Sequence, residues 1–70
     1  MNVVGPNVRR IRETQEMTQE ELVAQCHLNG WDITRSTLAK IESQVRRVTD
    51  EEVELLANAL KVKITELYKE

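Results

Sequence analysis

The fold turns on "CHLNGWDITRSTLAKIES", residues 26–43. Its second half reads as a short helix with a sharp start. Thr34 is an N-cap, Leu38 and Ile41 follow at helical spacing, and Val45 continues their apolar edge. Its first half is a stop and then a roomy turn: Asn29-Gly30 ends the preceding helix in a left-handed conformation, and Trp31, Asp32 and Ile33 pass before Thr34. A large apolar side chain inside a long turn pins it to the end of the second helix, which suits Trp31 with Ile33 beside it. Contact of Trp31 with a partner or a nucleic-acid backbone is the other reading.

Working outward, Thr18 and Glu21 of "TQEE" form a capping box, so a helix starts there with Leu22, Val23 and Cys26 as its inward stripe. Upstream, Pro6 suits a first helical turn, and Val4, Val8 and Ile11 recur at helical spacing to about Gln15. Downstream, Thr49 and Glu52 of "TDEE" form a second capping box, followed by Val53, Leu56, Ala57 and Leu60 on one stripe. Thr65 is expected to open a last short turn, with Ile64 and Leu67 folding back onto the core. Strand signals, internal repeats and low-complexity tracts are absent. The expectation is an all-α fold: one compact bundle of about five short helices, with residues 1–70 a single domain.

A chain of 70 residues supports one modest core at most. Its 40% apolar and 31% charged content is that of a soluble globular protein, not a disordered one. One Cys cannot make an internal disulfide, which fits a reducing cytoplasm. The opening "MNVVGPNVRR" lacks the apolar run of a signal peptide, and no stretch approaches a membrane span, so a cytoplasmic protein with no membrane partner is expected. The net charge of −2 at first argues against nucleic acid. The charge is uneven, however. Residues 1–47 carry seven Lys/Arg and six Asp/Glu, whereas residues 48–70 carry three and six, so the first two thirds are free to present a basic face.

Cys26-His27 invites a metal or nucleophile reading, but one adjacent pair lacks the second ligand pair of a zinc site and any third catalytic partner. Cys26 reads better as a small core residue and His27 as a surface residue. No Gly-rich phosphate loop or paired acid–base arrangement is present. The sequence therefore implies no enzyme, no metal and no cofactor.

The order "MTQEELVAQC", a turn, "ITRSTLAKIE" and a basic "VRRV" resembles the Cro and phage-repressor (XRE-type) class of helix-turn-helix proteins, from about Val4 to Tyr68. Within that pattern Met17 to Leu22 match the start of the first motif helix. Ile33 to Leu38 match the start of the recognition helix, and Ile41-Glu42 its end. Leu56 to Val62 resemble the family's fourth helix and exit. Three departures stand out: the turn between the motif helices is several residues longer, Gln44 replaces a favoured Gly, and Val48 replaces a common Pro.

The resemblance implies a lambda-repressor-like bundle that lays one helix in the major groove, where base edges carry a distinguishable donor and acceptor code. With Leu38 and Ile41 held inward, Arg35, Ser36 and Lys40 project outward, and the family reads bases from these positions. Contacts to the DNA backbone are expected from Gln19, Thr34 and Ser43, and from Arg46 and Arg47 just beyond the helix. Arg9 and Arg10, on the exposed side of the first helix, are weaker candidates for the same contacts. Arg12 and Glu42 match a structural ion pair between the first and recognition helices. The implied partner is double-stranded DNA, bound by a homodimer, and the implied function is that of a transcriptional repressor on a palindromic operator. The alternative is a protein-interaction module on the same fold, an antitoxin or adaptor with a protein partner.

Overall fold

The computed structural model describes residues 3–69. Five helices follow one another: α1 (Gly5–Thr14), α2 (Gln19–Leu28), α3 (Arg35–Glu42), α4 (Asp50–Leu60) and α5 (Ile64–Leu67), with no strand among the described residues. This all-helical arrangement is the one the hydrophobic spacing predicts. α2 packs on α3 and α4, while α1 packs on α3, α4 and α5. Leu22, Cys26, Leu38, Ile41, Leu56, Leu60 and Leu67 are fully buried at the centre, with Val8 from α1.

The starts of the helices follow from their capping residues. Thr18 Oγ1 accepts from the Glu21 N–H at 3.1 Å, and the Thr18 N–H donates to Glu21 Oε1 at 2.8 Å. Thr49 and Glu52 repeat this reciprocal arrangement at 3.1 and 3.0 Å. Thr34 Oγ1 accepts from the Thr37 N–H at 3.1 Å and so fixes where α3 begins. Each cap satisfies an amide that the first turn leaves without a helical partner.

The stops are of one kind. After each of the four longer helices one residue takes positive φ: Glu16 at 58°, Gly30 at 83°, Gln44 at 69° and Lys61 at 60°. The N–H of that residue bonds the carbonyl three back, and the next N–H bonds the carbonyl five back from itself. For α2 these are Gly30 to His27 at 3.0 Å and Trp31 to Cys26 at 2.9 Å. This paired closure satisfies the last carbonyls and reverses the chain. Only α2 uses the residue for which that conformation carries no steric cost.

Two sequence expectations change here. Val45 is 77% exposed, because α3 ends at Glu42 and the reversal at Gln44 carries Val45 off the apolar edge. Ile64 is 43% exposed, because it is the first residue of α5 and only Leu67, at the far end of that single turn, faces the core. The N-cap of that turn is Lys63, not Thr65.

Six residues, 29–34, separate α2 from α3. Trp31 is partly buried against the core, and Ile33 is buried beside it. The His27 ring contributes a further tie, since its Nε2 lies 2.7 Å from the Ile33 carbonyl oxygen and must donate to it. The long turn is thus held at both ends, and α3 leaves it in a defined direction.

Candidate nucleic-acid interface

α3 buries Leu38, Ile41 and Glu42 and turns Arg35, Ser36, Lys40 and the following Ser43 outward. At 3.6 residues per turn these four span an arc of about 140°. Ala39 lies within that arc and is small enough for close approach of a ligand surface. Where α1, α2 and α3 meet, a shallow groove of about 470 Å³ is edged by Arg9, Gln19, Glu20, Arg35 and Ser43. It gathers four of the sequence-derived DNA-contact candidates, Arg9, Gln19, Arg35 and Ser43, together with the expected ion pair of Arg12 and Glu42. Ser36 and Lys40 lie farther round α3, outside the groove's lining.

An ion pair forms the floor of that groove. Arg12 donates from Nε to Glu42 Oε2 at 2.8 Å and from NH2 to Glu42 Oε1 at 3.1 Å. Gln19 Nε2 donates to the same Oε1 at 3.1 Å, and Arg12 NH1 donates to the Met17 carbonyl at 2.7 Å. The hydrogen bond with Glu42 holds the Arg12 pKa above its ordinary value, against the opposing effect of burial. Three segments are joined by this one cluster: α1 through Arg12, the start of α2 through Gln19, and the end of α3 through Glu42. Among the described residues no buried side-chain polar atom lacks a hydrogen-bond partner.

The cations around the site are not equivalent. Arg46 grips Glu52 in a two-pronged pair at 3.0 and 2.8 Å and also donates to the Arg47 carbonyl at 2.9 Å. That hydrogen bond from Arg46 holds the Glu52 carboxyl below the usual carboxylate range, with the Thr49 amide adding to the effect. Arg46 therefore braces the start of α4, whereas Arg47 is exposed. Arg9 meets Glu13 at 3.3 Å on the outer face of α1. Arg10 donates to Asn7, whose amide in turn holds the Leu67 and Lys69 carbonyls at 2.8 and 2.6 Å, clasping α1 to the end of α5.

Comparison with protein families decides the class: a model described as helix-turn-helix matches residues 8–67. The chain belongs to the helix-turn-helix family. Comparisons with curated proteins and with solved structures return no significant match. The match covers α2, the six-residue turn and α3 as its motif core, and makes this protein a DNA-binding regulator of that type.

In this helix-turn-helix protein Thr34 has a local task as well, since its hydroxyl is engaged in capping α3 and in a 3.0 Å contact with Thr37 Oγ1. Cys26 is fully buried, and burial pushes its thiol up to about 11, so it is protonated near neutral pH and poorly suited to attack. Among the described residues no group of three or more His, Cys, Asp or Glu is arranged to hold a metal, and no helix is long and apolar enough to cross a membrane. Sequence reading missed Glu20 at the groove edge and Glu52 as the partner of Arg46. Both acids sit in first helical turns, where the helix dipole accounts for Glu20 and the capping box with Thr49 accounts for Glu52. Their arginine partners become visible only in three dimensions.

Proposed function

We propose that this protein is a sequence-specific transcriptional repressor that occupies a two-fold operator as a homodimer in the cytoplasm. The observation that carries this reading is the outward arc of Arg35, Ser36, Ala39 and Lys40 on a helix whose inner side is fixed by Leu38, Ile41 and the Arg12–Glu42 pair. Arg35 suits a guanine edge, where its guanidinium can pair with O6 and N7 together, and Ser36 and Lys40 extend the reading along the groove. Gln19, Ser43, Arg9 and Arg47 surround the arc as phosphate contacts, with Thr34 presenting its end of α3. Arg46 serves this surface indirectly by bracing the chain that carries Arg47.

The size of one copy supports the dimer. The longest Cα extent of one copy is 27 Å. Half-sites of a palindromic operator lie about 34–36 Å apart, so a second copy is needed to fill the second half.

A second reading, a protein-binding module of antitoxin or adaptor type, draws support from Leu28, 79% exposed, and from the net charge of −2. Salt separates the two. Phosphate contacts release counterions, so the logarithm of affinity should fall by about 0.9 per contact for each unit of log salt. A fluorescence-anisotropy titration of a selected duplex at several salt concentrations reads that slope directly. A slope near zero, or no duplex bound at all, would leave the protein-binding reading standing in place of this one.

A further inference from the structure

Glu20, the second residue of α2, places Oε1 3.6 Å from Nε of Arg35, the first residue of α3. Both side chains are mostly exposed, Arg35 at 65% and Glu20 at 71%. The contact lies on the Nε side of the guanidinium. Among the described residues no hydrogen bond engages the terminal NH1 and NH2 groups, which remain as a fork.

That arrangement treats two kinds of ligand differently. A phosphate responds to the net charge of the arginine with its carboxylate, and the pair attracts it less than a lone arginine would. A guanine edge is neutral and offers two acceptors, so it responds mainly to the direction of the fork. A carboxylate at Nε supports that direction and leaves the fork unoccupied. Glu42, the other acid lining the groove, cannot take this part, because Arg12 and Gln19 already occupy its oxygens.

The geometry points to Glu20 as a positioning residue for base reading, one that steers the Arg35 fork toward guanine and makes Arg35 a poor clamp for phosphate. The inference rests on the operator-binding reading above. Its function is discrimination. It lowers affinity for DNA in general and preserves the preference for the right base pair.

The test uses the full chain and three duplexes: the one selected from a random pool, the same duplex changed at the base pair whose preference Arg35→Ala relaxes, and a scrambled duplex. Glu20→Gln should bind the scrambled duplex about threefold more tightly, the size an exposed charge pair supports. Discrimination at the Arg35-dependent base pair should fall by about the same factor, and Glu20→Asp should restore part of it. In an Arg35→Ala background Glu20→Gln should leave discrimination at that position where Arg35→Ala alone put it. If the wild type selects duplexes but Glu20→Gln leaves the ratio unchanged, the role assigned to Glu20 is overturned and operator binding stands. An equal loss with Arg35 absent, or a loss that follows a lower melting temperature and is not relieved by Asp, also overturns it. If the wild type selects no duplex, both readings fall together.

Discussion

Arg12 and Glu42 meet edge to edge across 30 residues of sequence, with side chains only 10% and 4% exposed, and their contact joins α1 to the last residue of α3. Taking both charges out of water offsets much of their attraction, so the pair sets helix orientation more than it adds net stability. Removing one member is a different matter, since the other charge is then stranded. Glu42→Ala should lower unfolding free energy by about 3–5 kcal/mol. Lys40→Ala, on the exposed side of the same helix, should change it by about 0.5 kcal/mol or less. Paired denaturation curves check this. Equal small losses would mean that the cluster does not hold α3.

Trp31 closes the stop of α2 through its backbone and packs its ring partly against the core. Full burial would make Trp31→Ala cost about 3–5 kcal/mol, and a half-buried ring should cost roughly half of that. The fluorescence of Trp31, the one indole in the chain, provides a reading without DNA. Emission should be blue-shifted in the folded protein and move to the red on unfolding. Identical spectra in both states would show that the ring is not packed.

The repeated helix stop yields a prediction of opposite sign. Glu16 takes φ 58° and places a negative charge near the C-terminus of α1, where the helix dipole disfavours it. Left-handed backbone costs a non-glycine residue about 1–2 kcal/mol, and the looser unfolded chain of a glycine variant returns about 0.4–1 kcal/mol of that. Glu16→Gly should therefore stabilise the protein by roughly 0.5–1 kcal/mol. Gly30→Ala should destabilise it through φ alone, because a Cβ there meets nothing within 4 Å. Thermal melts of the two variants should move in opposite directions.

Glu52 links stability to pH. Its folded pKa lies below the ordinary value of 4.5, chiefly through the hydrogen bond from Arg46. The sign follows: the carboxylate's contribution is present above the unfolded value and is lost as pH falls through the folded one. Glu52→Gln should cost about 1 kcal/mol at neutral pH, the upper end for an ion pair still in touch with water. The gap between variant and wild type should close as pH drops below 4.5. Urea denaturation across that range checks it, and a gap that persists in acid would point to packing in place of charge.

The same pair separates two adjacent arginines. Arg47→Ala should flatten the salt dependence of DNA binding by about 0.9 and leave the melting temperature nearly unchanged. Arg46→Ala should lower the melting temperature first. If both flatten the salt slope equally, Arg46 leaves Glu52 on binding.

Much of this architecture was legible because it is local. Capping residues at Thr18, Thr34 and Thr49 act within one turn, and apolar spacing such as Val53, Leu56 and Leu60 reports a buried stripe directly. Val45 and Ile64 were misjudged because helical spacing says nothing of where a helix stops, and a reversal at Gln44 or a start at Ile64 changes which side a residue faces. The outward residues of α3 were legible for the same reason as its core. The acids that pair with Arg35 and Arg46 were not, since a Glu in a first turn has a sufficient explanation in the helix dipole or a capping box. Only the approach of α2 to α3, and of the 46–47 segment to α4, gives them partners.

The central claim is that α3 reads base pairs through Arg35, and selection of bound duplexes from a random DNA pool tests it most directly. The account predicts enrichment of a two-fold sequence with half-sites centred about 10–10.5 base pairs apart. Repeating the selection with Arg35→Ala should relax one position in each half-site and weaken binding by about 1–3 kcal/mol for each lost two-pronged contact. A pool in which no sequence is enriched, or an enriched motif identical in the wild type and Arg35→Ala, would contradict it.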